Sequence, residues 1–390
     1  MATLLEWLKS TVASFFAQES DSERRERELF PRVYDSQLED RRVLNAGAVI
    51  SAIDLVAIRF DAGSAANDGA ADKFELTRLD STGAANQIAV SINDQRVWQG
   101  FASELQSIRF DGSNDADQFF IDPTIQLPTG IIIDGRAAAS GPQALGSGDI
   151  VVLATVSEYQ FDEVTYQSTD YLTQIRIAFP SQPSSSLIQV HNVETIEDLT
   201  LASERTITIG SAGDSYVLRD SNDSLLPSEH PLIQFDSAET RIEFAVPTTC
   251  LTIDMQTTTA NRNSILVETT SLGGLEQLRV VGSDSDVIRQ KGNLTIGRSL
   301  TMMAGTINID GSISSGSSGE LRLDAGSGVL TVNGNLSSRG DESHRGGNIV
   351  LAGDQVSLLG WTRVDVSGGV GGGQIRVGGG FQGKDASVRN

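Results

Sequence analysis

Glycine recurs in the last hundred residues at a nearly fixed step, and that step limits the folds open to the chain. Openings of the form Gly-x-Leu/Ile occur at Gly292 ("GNLTIG"), Gly319 ("GELRLDAG"), Gly347 ("GNIVLAGD") and Gly373 ("GQIRVGGG"), 27, 28 and 26 residues apart. Between them lies a second motif, "TINIDGSISSG", "VLTVNGNLSSRG" and "TRVDVSGGVGG": apolar-x-apolar, Asp or Asn, then a turn of small residues. A fixed period of this length marks stacked supersecondary units. Within each unit apolar residues alternate with period two, which excludes helical repeats and leaves a β-solenoid. Runs such as "ILVETT", "TINID", "LRLD" and "LTVN" supply the β-branched and aliphatic side chains for a buried column. Glycines at the corners let the backbone turn sharply. The expectation is therefore an all-β chain, a solenoid over its C-terminal part, with irregular β-rich repeats before it.

The earlier chain divides on the same grounds. Residues 3–29 carry Leu4, Leu5, Leu8, Val12, Phe15 and Phe16 near helical spacing, followed by a charged tract from Asp21 to Glu28. A short N-terminal helix is expected there, within a leader segment 1–48. Strand-like alternation starts near Val49. "IRFDAGSAANDGAADKFEL" from Ile58 and "IRFDGSNDADQFFI" from Ile108 form a repeat 50 residues apart, and "QIAVSINDQRVWQGF" between them is a β-hairpin turning at Asn93-Asp94. That gives a β-rich repeat region over 49–145. Residues 146–290 hold credible strands but no clean repeat, and are expected to be irregular early coils. The repeats of 291–390 are expected to be a truncated series.

Composition excludes several functions. The formal charge of −22, from 51 acidic against 29 basic residues, is unsuited to binding nucleic acid or an anionic membrane surface. Cys250 is the sole cysteine, so neither an intrachain disulfide nor a cysteine-based zinc site forms. His191, His230 and His344 lie far apart in the sequence. No apolar run reaches the roughly 18 residues of a membrane span.

"QLEDRRVLNAG" resembles the short Leu-Glu-Pro-Arg-x-Leu-Leu element near the start of very large bacterial surface proteins, with Leu38, Glu39, Arg41 and Leu44 on matching positions, and Asp40 and Val43 departing from it. The resemblance implies a targeting or sorting signal and engagement by secretion or sorting machinery. At "GGNIVLAGDQVSLLGWTRVDVSGGVGGGQIRVGGGFQGKD" (346–385) the chain is similar to the repeat of filamentous-haemagglutinin-like adhesins. That likeness implies a right-handed parallel β-helix, a location at the cell surface or outside the cell, and adhesion, with a carbohydrate or another surface polymer as partner. The Asn-Pro-Asn-Gly element of that family's secretion domain is missing from the sequence. The "IRFDGSNDADQFF" repeat further resembles the Gly/Asp-rich calcium repeats of secreted proteins. There the resemblance implies Asp111, Asn114, Asp115 and Asp117 as calcium ligands, set against their role as ordinary turn residues.

Catalysis has little in the sequence to support it. A carbohydrate-active β-helix enzyme, of the polysaccharide lyase or hydrolase type, is the alternative to a non-enzymatic surface protein. It needs two carboxylates across a scissile bond. Asp-Asp doublets, Gly-His-Asp and Asn-Thr-Asp are all absent, and acids sit in turns such as "IDGS" and "LDAG", where they cap backbone amides. The tripeptide Arg339-Gly340-Asp341 and the phosphate-loop-like spacing Gly378 to Lys384 are readings of chance in a Gly- and Asp-rich chain. In the second, Asp385 replaces the hydroxyl residue that Mg²⁺ would need. No organic cofactor is expected.

Overall fold

The computed structural model describes residues 49–378 apart from 55–56, 62–70, 80–85, 114, 136–147, 156–158, 170–171, 181–184, 211–212, 214, 222–231, 237–239, 257–261 and 269. The expected N-terminal helix and the leader segment 1–48 lie outside the described residues. Those described are all-β: one 3-10 turn, Ala102–Glu104, is the sole helical element among them.

The strands fall into two long sheets that the chain visits in alternation. The first has fourteen strands and runs from Val49–Asp54 to Gln374–Val377. Its last five, Gln277–Val281, Ser299–Met303, Glu320–Asp324, Asn348–Ala352 and Gln374–Val377, each pair parallel with the one before. Register matches Leu278, Leu300, Leu321 and Ile349 level upon level, and beside them Val280, Met302, Leu323 and Leu351; all eight are fully buried. The second sheet stacks Val287–Ile296 on Thr306–Ser315 over ten residue pairs. It then divides, Val329–Val332 and Asn335–Ser338 both lying on Thr306–Ser315. Alternation of inward and outward side chains assigns Ile265, Ile288, Ile307 and Leu330 to one buried column. Inward side chains of both sheets join one contiguous apolar core from Ile58 to Leu351. Strand pairing crosses the two later expected boundaries, 145/146 between Gln118–Ile121 and Ile150–Leu153 and 290/291 between Val287–Ile296 and Thr306–Ser315.

Residues 146–290 look irregular in sequence because each sheet there carries a three-stranded antiparallel detour. In the first sheet Ser185–His191 lies parallel on Gly130–Asp134. The chain order then runs backwards through Leu172–Ala178 and Gln160–Thr169 before Leu201–Ile209 resumes parallel pairing. The second sheet repeats the device: Arg241–Ala245 lies parallel on Thr195–Asp198, followed by Leu232–Asp236, then Ser215–Asp220, and Ser264–Val267 resumes.

The early repeat is in perfect register, Ile58 on Ile108, Phe60 on Phe110 and Asp61 on Asp111. A third copy, Gly130–Asp134, stacks above it with Ile131 on Ile108 and Asp134 on Asp111. The hairpin turns where expected, with Asn93 and Asp94 both at positive φ. Such a pair of left-handed residues matches the twist of the flanking strands.

The glycine repeat is right for three of its four members. Gly319, Gly347 and Gly373 stack: a Cβ on Gly347 would stand 2.0 Å from the Gly319 carbonyl oxygen, and one on Gly373 1.7 Å from that of Gly347. Gly292 does not belong with them. It lies inside a second-sheet strand, opposite Gly311. The strand below Glu320–Asp324 is Ser299–Met303. Levels differ in length, so an even sequence spacing carried Gly292 onto the wrong sheet. Likewise "TRVDVSGGVGG" places Arg363–Asp365 over Asn335–Ser337, while Gln355–Leu358 takes the position above Val329–Val332.

Candidate functional site

Acidic residues mark the starts of the early second-sheet strands, and the register stacks them. Asp72 precedes Lys73–Arg78, Asp117 precedes Gln118–Ile121, Asp149 precedes Ile150–Leu153 and Glu194 precedes Thr195–Asp198, each strand parallel to the last. Each of the last three acids reaches back one level. The Asp72 N–H donates to Asp117 Oδ1 at 3.0 Å, the Asp117 N–H to Asp149 Oδ1 at 2.7 Å, and the Asp149 N–H to Glu194 Oε2 at 2.7 Å. Amides at these corners precede the ladder, so side-chain carboxylates satisfy them instead. Asn263 and Asp286 repeat the arrangement further along, accepting from the Gly213 and Asn263 amides at 2.8 Å each.

Glycine makes room for the carboxylates. A Cβ on Gly135 would lie 2.2 Å from Asp149 Oδ2, and one on Gly112 2.5 Å from Asp117 Oδ2. Burial pushes the Asp149 carboxyl up to about 9, opposed by the Asp117 amide and reinforced by the charges of Asp117, Glu194 and Asp134. Burial also raises Asp117 and Asp122.

Of the residues singled out as calcium ligands, Asp111 ends a strand of the first sheet, and Asp115 and Asp117 lie in the turn before a strand of the second. Asp111 extends from the first sheet, where Arg59 and Arg109 pair with its carboxylate; Arg109 also reaches Asp134 at 2.9 Å. Asp117 belongs to the ladder, and its second oxygen accepts the Ser113 amide. The Asp115 amide donates to Ser113 Oγ at 3.1 Å. Asn114 lies outside the described residues, as do Leu38, Glu39, Arg41 and Leu44. Among the described residues no three His, Cys, Asp or Glu side chains gather as a metal-holding group.

A second polar cluster lies inside the core, where Arg205 shares the inward alternate position of Ile207 and Ile209. Arg205 is fully buried on the first sheet and ion-pairs with Asp198 of the second at 2.6 Å. It also donates to the Tyr166 hydroxyl, the Thr200 carbonyl and the Ala245 carbonyl, while the Tyr166 hydroxyl donates to Asp198. Its guanidinium packs 5.5 Å from the Phe244 ring centre. Desolvation opposes its charge, but Asp198 and Tyr166 together outweigh that and raise its pKa; burial drives the Tyr166 hydroxyl well above its usual value. All three ionisable groups are satisfied by one another and sealed from solvent, an arrangement suited to tying two sheets together rather than to reacting.

Carboxylates also sit side by side on adjacent strands at Glu163/Glu204, on the outward face of the first sheet, and at Glu197/Glu243 on the second. The second pair is 1 % exposed at both members, beyond a substrate's reach. Both charges of the Arg339-Gly340-Asp341 tripeptide are exposed and paired locally. Arg339 faces Asp365 at 3.7 Å, and Asp341 is held below the usual carboxylate range by His344 and Ser343. Only Gly378 of the Gly378–Lys384 stretch is described.

No family model, curated protein or solved structure matches this chain. No helix among the described residues is long and apolar enough to cross a membrane.

Proposed function

We propose that this chain is a non-enzymatic, exported surface protein built on a right-handed parallel β-helix, in the manner of the filamentous-haemagglutinin-like adhesins its C-terminal repeats resemble. The observation that carries the reading is the unbroken parallel register of both sheets from Gln277 to Val377, with apolar columns inside and polar columns outside. Such a body supplies a stiff scaffold, and its outward columns and corner loops supply contacts for a carbohydrate or another surface polymer. The acidic corner ladder and the Arg205 cluster hold backbone amides, arginine or one another, which accords with a mechanical role. The Leu38–Leu44 element is read as the sorting signal that delivers the chain to the cell surface. Fractionation of native cells tests the location, with the protein expected in the surface or extracellular fraction; recovery solely from cytosol overturns it.

The enzymatic alternative has one specific support, the Glu163/Glu204 pair on neighbouring strands that run about 4.8 Å apart. Retaining glycosidases set their two carboxyl groups about 5–5.5 Å apart. Release of reducing ends from a panel of polysaccharides, abolished by Glu163→Gln and by Glu204→Gln, would establish it and displace the scaffold reading.

A further inference from the structure

The column of inward side chains that carries Leu278 and Leu300 continues back through Leu251 to Arg205 and Val164. In the second sheet the column of Ile121 and Leu153 runs on through Asp198 to Phe244. Each of these apolar stretches holds one charged residue, and the two meet at 2.6 Å, both fully buried. The strands of both detours reach this point. Gln160–Thr169 of the first detour lies parallel beside Leu201–Ile209 and presents Tyr166, whose hydroxyl accepts from Arg205 and donates to Asp198. Arg241–Ala245 of the second detour lies parallel on Thr195–Asp198 and presents the Ala245 carbonyl, 3.1 Å from Arg205 Nε. One guanidinium therefore holds a strand of each detour.

Apolar alternation does not by itself fix these strands along their length. One residue of slip turns inward side chains outward, but two residues restore them, so the period-two pattern tolerates such a slip. Two residues move a strand about 6.6 Å along its neighbour. That displacement carries Tyr166 or Ala245 away from Arg205 and leaves buried polar groups without their partners, a penalty that one aliphatic side chain sliding past another does not bring. The cluster thus distinguishes registers that the aliphatic columns treat alike.

We propose that the Arg205 cluster is a register pin, which fixes where both detours lie on their neighbours rather than adding net stability. Disulfide trapping in the full chain, in a Cys250→Ser background, reads the register of Gln160–Thr169 on Leu201–Ile209. Gln167 lies outward opposite Thr208. Their strands run about 4.8 Å apart, a separation that a disulfide spans. The pairs Gln167/Thr206 and Thr165/Thr208 are each offset by two residues and lie about 8 Å apart, beyond its reach. With Arg205 in place, Gln167→Cys with Thr208→Cys is expected to oxidise, and cysteines at either offset pair are expected to stay reduced. In the triple variant Arg205→Met/Asp198→Leu/Tyr166→Phe the offset pairs are expected to oxidise as well, in a protein whose circular dichroism and urea midpoint match wild type. A second filling, Arg205→Leu/Asp198→Met/Tyr166→Phe, guards against a steric misfit in the first. Offset pairs that stay reduced in a folded triple variant overturn the proposal. So does failure of both fillings to reach the wild-type midpoint, which makes the cluster a source of stability instead, and so does oxidation of the offset pairs with Arg205 in place.

Discussion

Asp149 receives a backbone amide on Oδ1, presses Oδ2 into the space left by Gly135, and is surrounded by Asp117, Glu194 and Asp134. Its folded pKa, about 9, lies above the ordinary 3.8, so the folded state holds the proton more tightly than the unfolded chain. The stabilisation that follows is complete below the unfolded value and is lost as pH rises toward 9. Urea unfolding should show wild type losing stability between mildly acidic pH and pH 9, with Asp149→Asn giving a flatter dependence. An unchanged slope in the variant would remove Asp149 as the source. Arg205 is the opposite case, a buried charge fully paired. Replacing it with Met leaves Asp198 charged and uncompensated, at a cost of about 3–5 kcal/mol in denaturant unfolding. Adding Asp198→Leu to Arg205→Met should cost less than the two single changes summed, because the stranded charge is gone. The ladder was partly legible: "ADKFEL", "ADQFFI" and "GDIVVL" all set Asp before a strand, yet only alignment by level shows that each acid caps its predecessor. Arg205 shares the inward alternate position of Ile207 and Ile209, but an arginine there reads as a core residue only once the opposite sheet supplies Asp198.

At the scale of strands and turns, sequence patterns located most elements and misplaced the joins between them. The Ile58 and Ile108 repeat and the Asn93-Asp94 hairpin stand as expected because local chemistry decides them: identical inward residues in the first, left-handed turn residues in the second. The detours through Leu172–Ala178 and Leu232–Asp236 were hidden because an antiparallel strand and a parallel one share the period-two pattern. Gly292 was drawn into the wrong column because levels are unequal in length. Close approach distinguishes the true corner glycines, and mutation can verify it. Gly347→Ala drives a Cβ into the Gly319 carbonyl and should cost about 1–3 kcal/mol. Gly273→Ala meets nothing within 4 Å and should stay within about 0.5 kcal/mol of wild type. Equal effects in thermal denaturation would contradict the stacking of these corners.

For the whole molecule, the two sheets act as rulers. Outward positions of the first sheet run in register from Thr165 through Thr206, Thr252, Arg279, Thr301, Arg322 and Val350 to Arg376. Strand spacing alone then sets the distance between any two of them, whatever their separation in sequence. Each detour adds two strands, and so two steps, to its own sheet, and both sheets carry one. Double electron–electron resonance between spin labels tests this directly in a Cys250→Ser background. Cysteines at Thr206 and Val350, five steps apart, should report about 24 Å, and those at Thr165 and Arg376, seven steps apart, about 34 Å. Narrow distributions that grow in proportion to the number of steps support stacked parallel levels. Broad distributions, or distances that do not follow the step count, contradict them.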